Sequence, residues 1–470
     1  MSLIIVVYFL LFCFLAWRNF RLAVGIFILS LPAYLIRFNI GPIPSTVLEL
    51  SFFAIFFVWL VKFGKNDLKI FWNIFLDCRQ MFVIPAPSSD GVNSNCCHSR
   101  ESGNPSSDYM DSRFCGNDRL NDFPSRAESK FLFVAMAVFF LSSIVSIFAS
   151  DMWLKSAGQW RAYFLEPMLI FVMLASRMSF QSENIKEKIS ARFIIFFLAL
   201  STLSVSVLAI AQKFFNGFFP PSLWDDDLGG RVVSFFTSPN AIGLYLVPIV
   251  FLIIICLKTA NGFLKRTVCC LIFLLSLLAI FFSFSQGAII AFAVSAVLFA
   301  YFIGYKKTAI AVLAIGAIVS LSISSFRSAV FFQDQAGQNR LTLWKYSYEY
   351  LSASPKNFIL GTGIRQFFRK IQKSRYEPEE MERLIYPHNT FLNFWTETGF
   401  FGMISFSAIL GWAFWAANKI RERDKVFGAA LIACLAVILI HGLVDVPYFK
   451  NDLAMIFWII IAIIAIKRAS

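Results

Sequence analysis

Charged residues are scarce in this sequence: only 15% of its 470 residues are charged, whereas 58% are hydrophobic and 57 are Phe. A water-soluble protein cannot bury that much apolar surface, but a lipid bilayer accepts it. Apolar runs of about 17–25 residues recur along the chain, and each is long enough to cross a hydrocarbon core of about 30 Å. The composition therefore excludes a soluble globular protein and predicts an all-α polytopic membrane protein.

The cysteine and histidine patterns do not favour a disulfide or metal site. The nine cysteines show no disulfide framework, and the Cys-Cys-His run at 96–98 lacks the spacing of a zinc site. The Gly-Thr-Gly segment at 361–363 follows no predicted strand, which argues against a nucleotide-binding loop. Acidic clusters are scarce in the predicted outer loops, apart from residues 225–227. We therefore expect no metal and no cofactor.

The net charge of +14 would suggest a nucleic-acid partner in a soluble protein. Here Lys and Arg gather in alternate short connections between apolar runs, as the positive-inside rule describes. The expected partner is therefore the bilayer, with no nucleic acid. We expect the first apolar run to be a retained helix, because no small-residue cleavage site follows it. The predicted spans, about twelve or thirteen in number, are residues 3–17, 20–37, 46–63, 131–149, 160–176, 193–212, 240–257, 267–284, 287–304, 308–325, 391–416, 427–446 and 452–467.

The same basic clusters set the expected orientation, with the C-terminus in the cytoplasm and two long loops on the outer face. Residues 78–128 are rich in Ser, Asn, Asp, Gly and Arg and are predicted to be a disordered cytoplasmic insert. They resemble a translated bacterial intergenic repeat, so we assign no catalytic role to His98. The chain divides into N-terminal spans at 1–77, this insert at 78–128, spans at 129–325 with an outer loop at 213–239, a large outer loop at 326–390, and C-terminal spans at 391–470.

Arg231 and Asn240 form the first candidate pair, at the end of the outer loop 213–239. Ser238 or Asn240 can cap the helix that follows, whose first amides would then face an anion on the outer side. Arg231 lies shortly before that helix. The alternative is an ordinary interfacial arginine held by the acidic residues 225–227.

Arg340 lies in the large outer loop, in a segment whose apolar residues are spaced as in an amphipathic helix. An arginine at headgroup level suits a phosphate or diphosphate, because its planar fork donates two parallel hydrogen bonds. The alternative is snorkelling toward lipid headgroups. A tight outer turn at 284–287 is open to two interpretations, hydrogen bonding to a sugar or contact between helices.

His388 lies where the large loop returns to the membrane. Its imidazole can accept a proton at physiological pH, as a general base must, and Asn389 is placed to orient the ring. The alternative is a structural histidine. His441 and Asp445 are four residues apart and predicted to share one face of the penultimate span, either beside a substrate cleft or as a pair that fixes helix packing.

Taken in order, these motifs resemble the O-antigen ligase and O-antigen polymerase superfamily of bacterial envelope membrane proteins. The resemblance covers roughly residues 200–460. Two departures stand out: Gln286 occupies the place where many members have Arg, and thirteen spans exceed the usual twelve. The matching pieces are Arg231 to Asn240, Phe284-Ser285-Gln286-Gly287, Arg340 to Trp344, Pro355 to Gly363, and His388-Asn389 followed by Leu392, Glu397-Thr398-Gly399 and Gly402.

The resemblance implies a membrane glycosyltransferase fold that moves a glycan from undecaprenyl diphosphate to an acceptor hydroxyl. It implies a site on the periplasmic side of the bacterial inner membrane and no metal or nucleotide sugar. His388 would be the base, and Arg231 and Arg340 would hold the diphosphate. Beyond what the resemblance implies, the candidate supporting residues are Asn389, Glu397, His441, Asp445 and Asn240.

Several functions stay open at this point. The acceptor can be a lipid A-core sugar, another glycan repeat or a protein side chain, which correspond to a ligase, a polymerase and a protein O-oligosaccharyltransferase. A lipid-linked glycan flippase or permease is the alternative from a different class. It would require charged residues at mid-membrane depth in several spans and inverted repeats, and the sequence shows neither.

Overall fold

The computed structural model describes residues 2–40, 43–76, 126–179, 188–215, 230–373 and 384–469. The predicted insert 78–128 lies outside these residues except for its last three, which begin a helix. The acidic run 225–227 also lies outside them.

Helices make up nearly all of the described chain, which confirms the all-α multi-pass architecture. They are α1 (Ser2–Arg18), α2 (Phe20–Leu29), α3 (Val47–Lys62), α4 (Gly64–Leu76), α5 (Arg126–Phe148), α6 (Trp153–Trp160), α7 (Glu166–Met178), α8 (Ala191–Phe214), α9 (Pro239–Thr259), α10 (Phe263–Phe282), α11 (Gln286–Ile303), α12 (Lys306–Ser322), α13 (Ser324–Val330), α14 (Gln335–Ser352), α15 (Pro355–Leu360), α16 (Thr390–Arg423), α17 (Lys425–His441) and α18 (Asn451–Ala469). Short π-helical turns occupy Arg161–Leu165 and Phe368–Gln372.

Every predicted span coincides with at least one of these helices. Among the described residues, six helices are long and apolar enough to cross a membrane, or seven if the bent pair formed by α3 and α4 counts as one span. The six are α5, α8, α9, α10, α11 and α16. This number is lower than the prediction because α1, α12 and α17 have only 17 residues each and α18 carries charged residues at both ends.

The second predicted span, 20–37, is wrong in its length. Helix α2 ends at Leu29 and a 3-10 turn, Leu31–Leu35, follows with Pro32 in its first turn. Proline has no amide hydrogen to donate to an α-helix and disfavours the α conformation in the residue before it. The chain then forms a small antiparallel hairpin of β1 (Arg37–Ile40) and β2 (Ile43–Thr46).

The centre of the bundle contains α9, α17 and α18, whose apolar residues are buried on every side. In the spanning part of α9, 83% of the residues are buried, compared with 17% in α11. A helix that is apolar all round suits a bundle interior, whereas the exposed apolar face of α11 suits contact with lipid. The central helices α9 and α17 therefore give a rigid base for anything at their ends.

Helix α16 is kinked at Gly399, whose backbone adopts φ 75° and ψ 179°. The segment 361–363 fills the kink, because both the amide and the hydroxyl of Thr362 donate to the carbonyl of Thr396, at 2.6 and 2.9 Å. A side chain at Gly399 would clash with the carbonyl oxygen of Ile359. The kink thus fixes the direction in which the first turns of α16 leave the bundle.

Candidate functional site

A cavity of about 320 Å³ lies where one end of the bundle meets the large loop. Its walls come from the start of α9 and the segment before it, the turn between α10 and α11, the start of α14, and the end of α17. Five of the eight predicted site residues line it. The lining residues are Arg231, Asn240, Phe284, Ser285, Gln286, Gly287, Ile290, Phe332, Asp334, Ala336, Arg340, His441, Val444 and Asp445.

Arg231 is fixed by two hydrogen bonds. Its Nε donates to the carbonyl of Ser283 at 2.9 Å, and its Nη2 donates to Oδ1 of Asn240 at 3.1 Å. The prediction that Ser238 or Asn240 caps α9 with its side chain is therefore wrong. Ser238 occupies the cap position without a side-chain hydrogen bond, and the side chain of Asn240 instead positions the arginine.

Arg340 reaches the cavity from α14, and the predicted amphipathic helix is confirmed. Leu343 and Leu351 bury one face of α14, while the Nε of Arg340 donates to the carbonyl of Val444 at 3.0 Å. The helix begins at Asp334, whose Oδ1 accepts from the amide of Gly337 at 3.0 Å. The arginine is thus held against the loop that follows α17.

Both guanidinium groups line the cavity, and within the described part of the chain protein acceptors bind only some of their N–H donors. Among the described residues, no carboxylate lies within ion-pair distance of Arg231 or Arg340. Each arginine has five N–H donors, and the structure gives protein acceptors to two of those of Arg231 and one of those of Arg340. Burial lowers the pKa of Arg231 from its ordinary value. An anion in the cavity would relieve this unfavourable desolvation.

His388 stands beside the cavity and is linked to it by Asp445. The Nδ1 of His388 is 3.4 Å from Oδ1 of Asp445, and the imidazole is mostly buried, with 19% of its surface exposed. Its ring packs against that of Tyr386 at 4.9 Å between centroids. The backbone of His388 is left-handed, with φ 52°, which is uncommon for a residue other than glycine and is often found at functional sites.

Asp445 does not share a helix face with His441, contrary to the prediction. Helix α17 ends at His441, and Asp445 lies in the connection that follows. A turn in which the amide of Asp445 donates to the carbonyl of His441, at 2.9 Å, keeps both residues at the cavity. Burial opposes ionisation of Asp445, but the adjacent His388 outweighs it, so the pKa of this carboxyl is below its ordinary value.

Asn389 anchors the histidine segment without contacting the ring. Its Oδ1 accepts from the amide of Leu392 at 3.0 Å, which caps α16, and its Nδ2 donates to the carbonyl of Leu443 at 3.1 Å. Asn389 was predicted to orient the imidazole of His388, but its side chain binds backbone groups of α16 and of the segment after α17 instead. The next residue, Thr390, donates its hydroxyl to the carbonyl of Asp445 at 3.1 Å.

Glu397 is not part of the cavity. It is 3% exposed within α16 and accepts a hydrogen bond from the backbone of Arg365. Its contact therefore joins the glycine-containing loop to the kinked helix. The resemblance suggested Glu397 as a supporting residue, but it lies two and a half helical turns beyond His388.

His441 forms the floor of the cavity and is 2% exposed. Its imidazole lies against α9 and α11 at two glycines. A Cβ atom on Gly287 would lie 3.3 Å from Nε2 of His441, and one on Gly243 would lie 3.4 Å from Cε1. The Nδ1 atom of His441 has no hydrogen-bond partner among the described residues.

The sequence did not single out Asp334. It gave little support to a donor-binding role for the turn at 284–287, because Gln286 stands where many family members have Arg. Asp334 and this turn both line the cavity. The turn itself was visible in the sequence, but its position beside Arg231 depends on how α9, α10 and α11 pack. Among the described residues, no three His, Cys, Asp or Glu side chains form a group that could hold a metal ion.

A family model described as O-Antigen ligase matches residues 271–407. This segment includes Gln286, Arg340 and His388, while Arg231 and Asp445 lie outside it. A comparison with curated proteins gives no match. Members of the family are glycosyltransferase-like ligases and polymerases, which act on lipid-linked glycans in membranes. The segment 271–407 of the chain is therefore similar to the O-antigen ligase family.

Proposed function

We propose that the protein transfers a glycan from undecaprenyl diphosphate to an acceptor hydroxyl on the periplasmic face of the bacterial inner membrane. The observation that supports this most is that Arg231 and Arg340, which have no carboxylate partner among the described residues, line one cavity with Asp445, the partner of His388. The cavity lies at the end of the bundle that the distribution of Lys and Arg assigns to the outer face.

The arginines bind the donor. A diphosphate that links a sugar to a lipid carries about two negative charges, and Arg231 and Arg340 present planar donors from two sides of the cavity. Further charge develops on the leaving diphosphate as its bond to the sugar breaks. Fixed cationic donors stabilise this charge without reorganising, so they act on the transition state. In this proposal the reaction needs no metal ion.

His388 acts as the general base. Its Nδ1 faces Asp445, which leaves Nε2 for the acceptor hydroxyl. As the acceptor oxygen bonds to the anomeric carbon, its proton moves to the imidazole, and the electron pair of the breaking C–O bond leaves with the diphosphate. Asp445 orients the ring and stabilises the imidazolium, as the carboxylate of a catalytic triad does.

The acceptor distinguishes three versions of this proposal. A lipid A-core sugar makes the protein an O-antigen ligase, which is the version we favour. A growing glycan makes it a polymerase, and a hydroxyl on a protein makes it a protein O-oligosaccharyltransferase. The chemistry at His388 is the same in all three.

One observation favours the flippase alternative. Arg161 forms ion pairs with Glu49 of α3 at 2.8 Å and with Glu166 of α7 at 3.1 Å, and both carboxylates are buried. Buried charges within membrane-spanning helices are typical of transporters. Glu49 lies in the first turn of α3, whereas Glu166 follows the π-helical turn Arg161–Leu165 without a break in the helical backbone.

The test is the glycan profile of a strain that lacks the gene, resolved by chain length and complemented with variants. We expect long chains to remain on the carrier lipid and to return to the acceptor with the wild-type gene. The variant His388→Ala should reach the membrane but restore no transfer. Normal profiles with this variant would refute the assignment of the base. Single repeat units on the acceptor would identify a polymerase, and an unchanged profile in the deletion strain would favour the flippase or a protein-directed transferase.

A further inference from the structure

Helix α4 leaves the end of α3 almost at a right angle. The chain turns by 87° between Lys62, the last residue of α3, and Gly64, the first residue of α4. Helix α3 lies in the predicted span 46–63, so a helix at a right angle to it runs along the membrane surface. The distribution of Lys and Arg assigns this end of α3 to the cytoplasmic side. We therefore expect α4 to lie where the bundle meets the inner leaflet.

A buried ion pair fixes the direction of α4. Asp67, in the first turn of α4, accepts a hydrogen bond at Oδ2 from the indole of Trp59 in α3, at 2.8 Å. Its Oδ1 lies 3.4 Å from Nη1 of Arg177 in α7, and both side chains are buried. The guanidinium of Arg177 also lies over the ring of Phe63, 4.2 Å from its centroid. Helix α4 therefore cannot swing away from the bundle without leaving buried charges unpaired.

The surface that α4 turns away from the bundle carries an apolar stripe beside a basic one. Ile70 is buried and marks the side that faces the bundle. Leu68 and Trp72 lie one turn apart and are 46% and 59% exposed. Lys65 and Lys69 are also exposed, one turn apart, on the neighbouring stripe. A helix with this arrangement suits the membrane interface, where apolar side chains reach the acyl chains and basic ones stay at headgroup level.

The two lysines of this surface lack a negative partner within the protein. In the described ranges, no carboxylate lies within ion-pair distance of Lys65 or Lys69. The exposed ring of Trp72 packs edge-on against Phe133 of α5, at 6.3 Å between centroids, and tryptophan is enriched at membrane interfaces. The phosphates of anionic lipids supply the missing negative charge, and basic side chains near a membrane surface attract them.

We propose that the exposed face of α4 is a binding site for anionic phospholipids of the inner leaflet. Lys65 and Lys69 contact the lipid phosphates, while Leu68 and Trp72 contact the acyl chains. Through Asp67, a lipid bound there holds α3 and α7 at a fixed depth in the leaflet. The site is separate from the proposed function, because none of these residues lines the cavity.

The experiment measures the binding of phosphatidylglycerol and phosphatidylcholine to the purified full-length protein by native mass spectrometry. The two lipids are used with the same acyl chains, and only phosphatidylglycerol carries a net negative charge. The variant combines Lys65→Glu with Lys69→Glu. The matched control combines Lys306→Glu with Lys307→Glu, which reverses two exposed lysines at the start of α12, on the same predicted side of the membrane.

We expect wild-type protein to bind phosphatidylglycerol more tightly than phosphatidylcholine. The α4 variant should weaken binding of phosphatidylglycerol by about tenfold or more and that of phosphatidylcholine by less than about twofold. The control should weaken either lipid by less than about twofold. The neutral variant, Lys65→Gln with Lys69→Gln, should give an intermediate loss, and it decides alone if charge reversal prevents folding. Soluble glycerol phosphate should not displace the lipid, because it lacks the acyl chains that contact Leu68 and Trp72.

Several results would overturn the proposal. Unchanged binding of phosphatidylglycerol in the α4 variant would exclude contact between these lysines and the lipid. An equal loss in the control would show that only the general charge of this side of the protein matters. Displacement by glycerol phosphate would indicate a site for free phosphate instead of a lipid. None of these outcomes affects the proposed function, which is tested by glycan transfer and by substitutions at the cavity and at His388.

Discussion

Replacing Asp445 by Asn tests the histidine–carboxylate pair most directly. Asn has the same shape and can still accept the hydrogen bond from the amide of Val446, at 2.9 Å from Oδ1. Only the charge next to His388 is lost. At the observed 3.4 Å, a unit charge pair is worth about 1 kcal/mol in water and about 5 kcal/mol at the effective dielectric constant of about 20 found within proteins.

The exposed fractions of the two side chains narrow this range of interaction energies. The side chain of Asp445 is 5% exposed and that of His388 is 19% exposed, so the site is neither fully wet nor fully dry. We take about 2–4 kcal/mol for the lost stabilisation of the imidazolium in the transition state. This corresponds to a decrease in kcat of about 30-fold to 1000-fold.

The assay is glycan transfer by the purified protein in nanodiscs, with kcat and the donor KM measured separately. Because Asp445 also lines the cavity, its neutralisation removes a negative charge near an anionic donor, and the donor KM should not rise. The control is Asp334→Asn, which removes a carboxylate from the same cavity while Asn still caps α14. We expect the control to keep kcat within a few-fold. An unchanged kcat in Asp445→Asn, or an equal loss in the control, would refute the reasoning.

Two further substitutions follow from the structure, each with a control substitution. Arg340→Lys keeps the charge but loses the planar fork, so the donor KM should rise by about tenfold, whereas Arg327→Lys on an exposed part of α13 should leave it unchanged. Gly399→Ala should lower the unfolding temperature measured in detergent, because the backbone conformation alone costs about 1–3 kcal/mol in a non-glycine residue and the new methyl group meets the carbonyl of Ile359. Gly411→Ala, in the same helix with no neighbour within 4 Å, should be neutral or slightly stabilising; equal losses in both glycine variants would contradict the role of the kink.

The sequence predicted the helices well because span length and apolar composition are local properties. It failed at residues 20–37, where the structure forms a 3-10 turn and a hairpin. A run of apolar residues is read as one helix, and the effect of a single proline such as Pro32 on its course depends on what packs beside it. The bend at Gly399 was predictable, since glycine tolerates a positive φ.

The site was predictable in its residues but only partly in its contacts. Arg231, Arg340 and Asp445 were found from motifs, and the structure brings them to one cavity. The roles of Asn240 and Glu397 were misjudged because hydrogen-bond partners depend on contacts between distant segments. No local pattern indicates that Asn240 bonds to an arginine instead of capping its own helix.

One hydrogen bond has a consequence for how proteins of this architecture can vary. The indole of Trp344 donates to the carbonyl of Pro387 at 2.9 Å, one helical turn from Arg340 and one residue before His388. This hydrogen bond therefore joins the helix that carries Arg340, the proposed donor-binding residue, to the backbone beside His388, the proposed base. The two residues flank the segment 345–386. Within this segment, Thr362 and Arg365 also hold α16, through Thr396 and Glu397. We therefore expect proteins of this architecture to keep these contacts and to vary at the other residues of the segment.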